Sequence, residues 1–198
     1  MLGDAMTTLG ILVGSQGRGS NMKAIATACA EGEIAARVGV VVSPKGNTPA
    51  VETAHDLGLS VAIVSPAGEH YAQRLVDELD RYEVDWVCLA GYMRLLPIEV
   101  LQRWPNRVLN IHPALLPKFG GKGMFGHHVH EAVIAAGETE SGCSVHRVSE
   151  EYDKGEVLLQ MRCPVLPQDT PESLAARVLE LEHHAYPMAI RQVMDATG

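Results

Sequence analysis

TLGILVGSQGRGSNMKAIATACA, residues 8–30, decides the fold. Thr8–Val13 is a near-continuous apolar run, short enough for one buried strand. It ends in the Gly-rich GSQGRGSN, and Met22–Ala30 then takes helical apolar spacing. The same alternation continues outward. Arg37–Val42 reads as a strand, Pro49–Leu57 as a helix, Ser60–Val64 as a strand and Glu69–Tyr82 as a helix with apolar positions at Tyr71, Leu75, Val76 and Leu79. Asp85–Ala90 is a strand, Pro97–Arg103 a short helix, Arg107–Ile111 a strand and Val129–Ala136 a helix. Strands near Cys143–Val148 and Val157–Cys163 precede a long helix over Pro171–Ala196, with a break or kink expected at Pro187. Strand–helix alternation with apolar strands predicts a doubly wound α/β fold: one mostly parallel sheet with helices on both faces. The short Ser149–Glu156 connection predicts an antiparallel addition at one side. In such sheets ligands lie beyond the carboxyl ends of the strands, so the loops there carry the argument.

The chain has 198 residues, 46% hydrophobic and 20% charged, with a formal net charge of -8. One domain over residues 1–198, with its core at about 8–193, fits that length. The acidic balance argues against nucleic acid as a partner. The start, MLGDAMTT, has no basic segment and reads as no signal peptide, and no run reaches the ~18 apolar residues of a spanning helix. Cys29, Cys88, Cys143 and Cys163 are widely spaced and read as reduced thiols of a cytoplasmic protein.

The loop after the first strand has the ingredients of an anion site: glycines and a helix start. The dinucleotide pattern G-x-G-x-x-G fails because Met22 stands three positions after Gly19, and Val42-Ser43-Pro44 puts no acidic residue at the end of strand two. The P-loop pattern fails at Ser20-Asn21. What remains is Gly19 for close approach, Ser20 as hydroxyl donor and N-cap, and Asn21 as amide donor, a set suited to a phosphate monoester.

LNIHPALLP, residues 109–117, places Asn110 and His112 two apart at a strand end, so both project to the same side. An Asn amide can steady a developing oxyanion, and a His can move a proton near neutral pH. A carboxylate is wanted beside the His. Asp153 is one choice in EEYDKGE, with Glu150 and Glu151 competing. Cys143 and Ser144 lie within a strand with no base at motif spacing. The pattern therefore suggests attack by a substrate amine or water on a carbonyl, without a covalent enzyme intermediate.

Five segments occur together: GRGSNMKAI, LAGYMRLL, LNIHPALLPKF, SGCSVHRV with YDKGEVLLQ, and LEHHAYP. In this order they resemble the glycinamide ribonucleotide formyltransferases (phosphoribosylglycinamide formyltransferases), folate-dependent enzymes of purine biosynthesis. The resemblance spans residues 8–193. It implies formyl transfer from 10-formyltetrahydrofolate, a co-substrate, to the amine of glycinamide ribonucleotide, with no metal. It also implies that Gly19, Ser20 and Asn21 bind the ribonucleotide phosphate, that Glu182 contacts the ribonucleotide, and that Met93, Arg94, Leu95 and Leu96 line the folate site. Asn110 would meet the formyl oxygen, with a place in both catalysis and folate binding. His112 would handle protons, and Asp153 would raise its pKa. The Ser149–Asp153 backbone would bracket the pterin, and a homodimer follows by analogy. The chain departs from the family pattern in Asp153-Lys154-Gly155 and in the Gly-rich FGGKGMFGHHVH, and Ser65–His70 offers no Arg for a glutamate tail.

His127, His128 and His130 read as a polar helix start rather than a zinc site. His146 reads either as a partner of the site or as a structural His, and Trp86 and Trp104 as packing residues. The rival function is a 10-formyltetrahydrofolate hydrolase, whose family carries an N-terminal regulatory domain. A methionyl-tRNA formyltransferase needs a further C-terminal domain and a basic surface.

Overall fold

The computed structural model describes residues 6–196. The reading of the first five residues as no signal sequence falls outside that range. Among the described residues seven strands and six helices follow one another as β1 (Thr7–Val13), α1 (Ser20–Ala30), β2 (Ala36–Ser43), α2 (Pro49–Asp56), β3 (Val61–Ile63), α3 (Tyr71–Arg81) and β4 (Trp86–Ala90). They continue as α4 (Ile98–Arg103), β5 (Val108–His112), α5 (His127–Ala135), β6 (Glu140–Arg147), β7 (Val157–Pro164) and α6 (Pro171–Asp195). The strand order is β3-β2-β1-β4-β5-β6-β7. β1 pairs in parallel with β2 and β4, and β2 with β3. β6 and β7 are antiparallel, the addition that the short connection required. The chain forms two compact units, one ending at Leu109 and the other beginning at Asn110.

In the first unit β1 and β4, and most of β2, are buried on both faces, which is why they read as apolar runs, whereas the edge strand β3 exposes Ile63. Leu9, Ile11, Val40, Val41, Val87 and Cys88 are fully enclosed, as are Met22, Ile25, Leu75 and Leu79 on the helices. α2 begins where Thr48 Oγ1 accepts the Val51 N–H at 3.2 Å, with Pro49 in the first turn, where a missing N–H loses nothing. Trp104 is buried and donates its indole N–H to the Val84 carbonyl at 2.7 Å, and Trp86 is likewise buried, as packing residues should be.

In the second unit α6 packs on β6 and β7. Thr170 and Ser173 form a reciprocal capping box at its start. The break expected at Pro187 does not occur, because α6 runs as one helix to Asp195. An interior proline costs about 3 kcal/mol or more through its missing N–H and its ring. Tyr186 and Ile190 are fully buried beside it, and enclosing each large apolar side chain contributes roughly 1.5–3 kcal/mol. Packing on both sides of the proline offsets the local defect.

Candidate active site

Asn110 and His112 stand on β5 with the apolar Leu109 and Ile111 between and before them, and the period of two turns both polar side chains the same way. His112 is buried at 4% exposure. Its Nδ1 lies 3.5 Å from Asp153 Oδ2, and its Nε2 lies 2.7 Å from the Phe119 carbonyl. Among the acidic residues of the loop after β6, Asp153 is the one that turns inward, while Glu150, Glu151 and Glu156 are exposed. Its backbone adopts φ 55, in the left-handed region, and its carboxylate accepts the Gly121 N–H at 2.9 Å.

His146 belongs to the same cluster. Its Nδ1 donates to the Arg147 carbonyl at 2.8 Å, since a carbonyl can only accept. In the neutral ring Nε2 is then an acceptor, and it takes an N–H from Asn110 Nδ2 at 3.0 Å. The same nitrogen lies 3.5 Å from Asp153 Oδ1. Both His–Asp separations are ion-pair distances rather than tight hydrogen bonds. Asn110 keeps a second N–H on the nitrogen that faces His146, free in its chemistry to meet a developing negative charge.

Burial lowers the pKa of His112; Asp153 raises it, as the resemblance implied, and so does the Phe119 carbonyl, but burial outweighs both and the net shift is downward. For Asp153 burial is again the largest influence and pushes upward. His146, His112 and the Gly121 N–H together overcome it and hold the carboxyl below its ordinary range. The resting pair is therefore a neutral imidazole beside a carboxylate. Asp153 offsets part of the cost of burial, because the imidazolium formed on protonation is met by a fixed anion.

Among the described residues no side-chain nucleophile completes the cluster. Ser144 is fully buried, donates to the Ala114 carbonyl at 2.6 Å and accepts from the Leu116 N–H and Gln160 Nε2. The Cys143 thiol is enclosed and pushed up to about 12, chiefly by burial, so it is no thiolate near neutrality. Glu182, buried on α6, bears electrostatically on that same thiol.

In the first unit, Gly14 and Gly91 follow the adjacent parallel strands β1 and β4, and a Cβ on Gly14 would collide with the Gly91 carbonyl. The N-cap of α1 is Gly19, not Ser20. Gly19 holds φ 74, and a Cβ there would sit 2.9 Å from Met22 Cε and 3.2 Å from Ala50 Cα. Ser20 and Asn21 are instead the first helical residues, and both are half-buried. No acidic residue occupies that turn. Met93, Arg94 and Leu95 are exposed on the loop after β4, and Leu96 is buried. Ser65–His70 carries no Arg of its own, but Arg74 of α3 donates to the Ser65 and Ala67 carbonyls.

His127 pairs with Glu131 and Glu172, and His128 with Glu131, whereas His130 is buried. Among the described residues no group of three or more His, Cys, Asp or Glu is arranged to hold a metal ion. Also among them, no helix is long and apolar enough to cross a membrane.

The contacts that residue patterns missed are backbone ones, the Phe119 carbonyl and the Gly121 N–H. Their one sequence signal was the Gly-Gly after Phe119.

A family model described as formyl transferase matches residues 10–190. The chain is 44% identical over 175 residues to a chloroplastic phosphoribosylglycinamide formyltransferase of Arabidopsis thaliana, covering 86% of this chain and 60% of that protein. It therefore spans less than two thirds of that relative's length. It is 37% identical over 191 residues to the phosphoribosylglycinamide formyltransferase of Escherichia coli, covering 94% of this chain and 88% of the relative. A crystal structure of glycinamide ribonucleotide transformylase 1 from Symbiobacterium toebii superposes with a TM-score of 0.89 at 38% identity, covering 96% of this chain and 89% of that one.

Proposed function

The chain belongs to the formyl transferase family, and on that premise we propose that it transfers the formyl group of 10-formyltetrahydrofolate to the amine of glycinamide ribonucleotide. The observation that carries this reading is the cluster of Asn110, His112, His146 and Asp153: an amide donor, a neutral base and a fixed carboxylate, with no protein nucleophile. Direct attack by a substrate amine needs that set and nothing more.

In this reading the amine nitrogen adds to the formyl carbon, and the carbonyl oxygen becomes an oxyanion met by the Asn110 N–H. His112 takes the proton released from the nitrogen and becomes an imidazolium facing Asp153. The oxyanion then collapses to the carbonyl, the bond from carbon to the folate nitrogen breaks, that nitrogen takes the proton from His112, and the formyl group remains on the amine. Gly19, Ser20 and Asn21 hold the ribonucleotide phosphate on the α1 N-terminus, where the helix dipole favours an anion. Glu182 contacts the ribonucleotide, Met93 to Leu96 line the folate site, and the Ser149–Asp153 backbone brackets the pterin. The reading takes residues 1–198 as one formyltransferase domain, cytoplasmic, and a homodimer.

The test is an assay with 10-formyltetrahydrofolate and glycinamide ribonucleotide, run with and without the amine substrate. Amine-dependent appearance of formylglycinamide ribonucleotide is expected. Formate release at the same rate without the amine would overturn the reading in favour of the hydrolase.

A further inference from the structure

The segment after β5 reaches the reactive pair from behind through two backbone groups. The Phe119 carbonyl faces His112 Nε2 at 2.7 Å, and two residues on the Gly121 N–H donates to Asp153 Oδ2 at 2.9 Å. Asp153 Oδ2 is also the oxygen that faces His112 Nδ1. The two contacts thus close a ring of groups: carbonyl, imidazole, carboxylate, N–H. Phe119 holds φ 55 and Gly121 φ 101, so the turn that aims both groups uses the left-handed region twice. Gly120 stands between them, where an added side chain would force its neighbours to shift. A Cβ there would lie 2.5 Å from Leu116 Cδ2 and 3.2 Å from Asp153 Cβ.

We propose that the Phe119–Gly121 backbone is a clamp that fixes His112 as its Nε2–H tautomer and directs proton uptake to Nδ1, with Gly120 as a positioning residue. A carbonyl oxygen only accepts, so the nitrogen facing Phe119 carries the hydrogen and the other is the base. That other nitrogen lies against Asp153, so the proton arrives where a carboxylate already waits. The Gly121 N–H keeps the carboxylate turned to it. Three groups bear on His112 from its neighbours: Asp153 from the loop after β6, His146 from β6, and His130 from α5. The clamp rests on the reading of His112 as the proton carrier.

Two backbone variants test the clamp without adding atoms. Glycolic acid in place of Gly120 turns the Phe119 carbonyl into an ester, a weaker acceptor, and glycolic acid in place of Gly121 deletes the N–H to Asp153. The Phe119 carbonyl favours the charged ring, so weakening it lowers the His112 pKa. The acid limb of kcat then moves to lower pH by about half a unit in the first variant. In the second, kcat falls about tenfold while KM stays within about threefold. Gly120→Ala should lose more than tenfold in kcat, with the same KM split. The tautomer itself is read by 15N NMR of His112 in the ligand-free protein, which requires no activity. A protonated Nε2 and a bare Nδ1 are expected there. A protonated Nδ1, or ester variants with the natural pH profile and kcat, would overturn the clamp. Absence of formyl transfer in the natural protein, with the Nε2–H tautomer intact, would instead count against the function.

Discussion

Replacing Asp153 with Asn removes one charge and changes the shape of the side chain hardly at all. The amide oxygen can still accept the Gly121 N–H that the carboxylate accepts now, so the loop keeps its anchor. What disappears is the anion 3.5 Å from His112 Nδ1. Two unit charges at that distance attract by about 5 kcal/mol at an effective dielectric of about 20, the value suited to a pair with little exposure. Asp153's side chain is 10% exposed and that of His112 5%, so this regime applies rather than that of open water. Five kcal/mol would be more than three decades in rate if the whole attraction were felt only after His112 is protonated. Hydration and relaxation of the new amide remove part of it, leaving an expected loss of about 100- to 1000-fold in kcat. The sign in pH is also determined. Asp153 raises the His112 pKa, so its removal lowers that value further. The acid limb of the kcat profile, where His112 must lose its proton to act, should move to lower pH while the plateau drops. Steady-state kinetics of Asp153→Asn across pH 4.5–9, with a melting curve to confirm folding, gives the answer. A kcat within about threefold of the natural enzyme, or a limb that moves upward, would refute the reasoning.

Asn110→Ala should cost about 2.7–4 kcal/mol of transition-state stabilisation, roughly 100- to 1000-fold in kcat, if its amide meets the oxyanion; a change confined to KM would contradict that role. Gly19→Ala forces a Cβ into φ 74 and against Met22 and Ala50, and should raise KM for the ribonucleotide at least tenfold with little change in KM for the folate, measured by varying each substrate in turn. His130 is pushed down to about 4, chiefly by burial, from an ordinary value of 6.5. The unfolded chain therefore binds a proton that the folded protein refuses between those values. Its contribution is present above pH 6.5 and lost as pH falls towards 4, with a slope of at most about 1.4 kcal/mol per unit. His130→Gln should flatten urea-unfolding free energies over that window, and an unchanged slope would remove His130 from the account.

Much of this was legible in the residues. Elements from β1 to β7 lie within a few residues of the apolar runs, because buried strands between helices leave a pattern that tertiary packing does not overrule. The Asn-x-His geometry followed from the strand period alone. Five things were hidden. Ser20 looks like an N-cap by residue type, but Gly19 takes that place because the turn needs positive φ and an empty Cβ position. Pro187 looks like a helix break, and only the burial around it keeps α6 continuous. Asp153 could not be ranked above Glu150 and Glu151, since the choice rests on a left-handed backbone at one residue. His146 was readable only as a partner or a structural residue, and it bonds Asn110 while facing Asp153. The Phe119 and Gly121 contacts come from backbone atoms that every residue has, so side-chain chemistry carried no sign of them.

The central claim is that His112 and Asp153 handle one proton as a unit. A double-mutant cycle measures this directly, with kcat for His112→Ala, for Asp153→Asn and for the pair together. If the carboxylate works only through the imidazole, the double variant is no slower than His112→Ala alone, within about threefold. If instead the two losses multiply, the residues act independently and the account of the site is wrong.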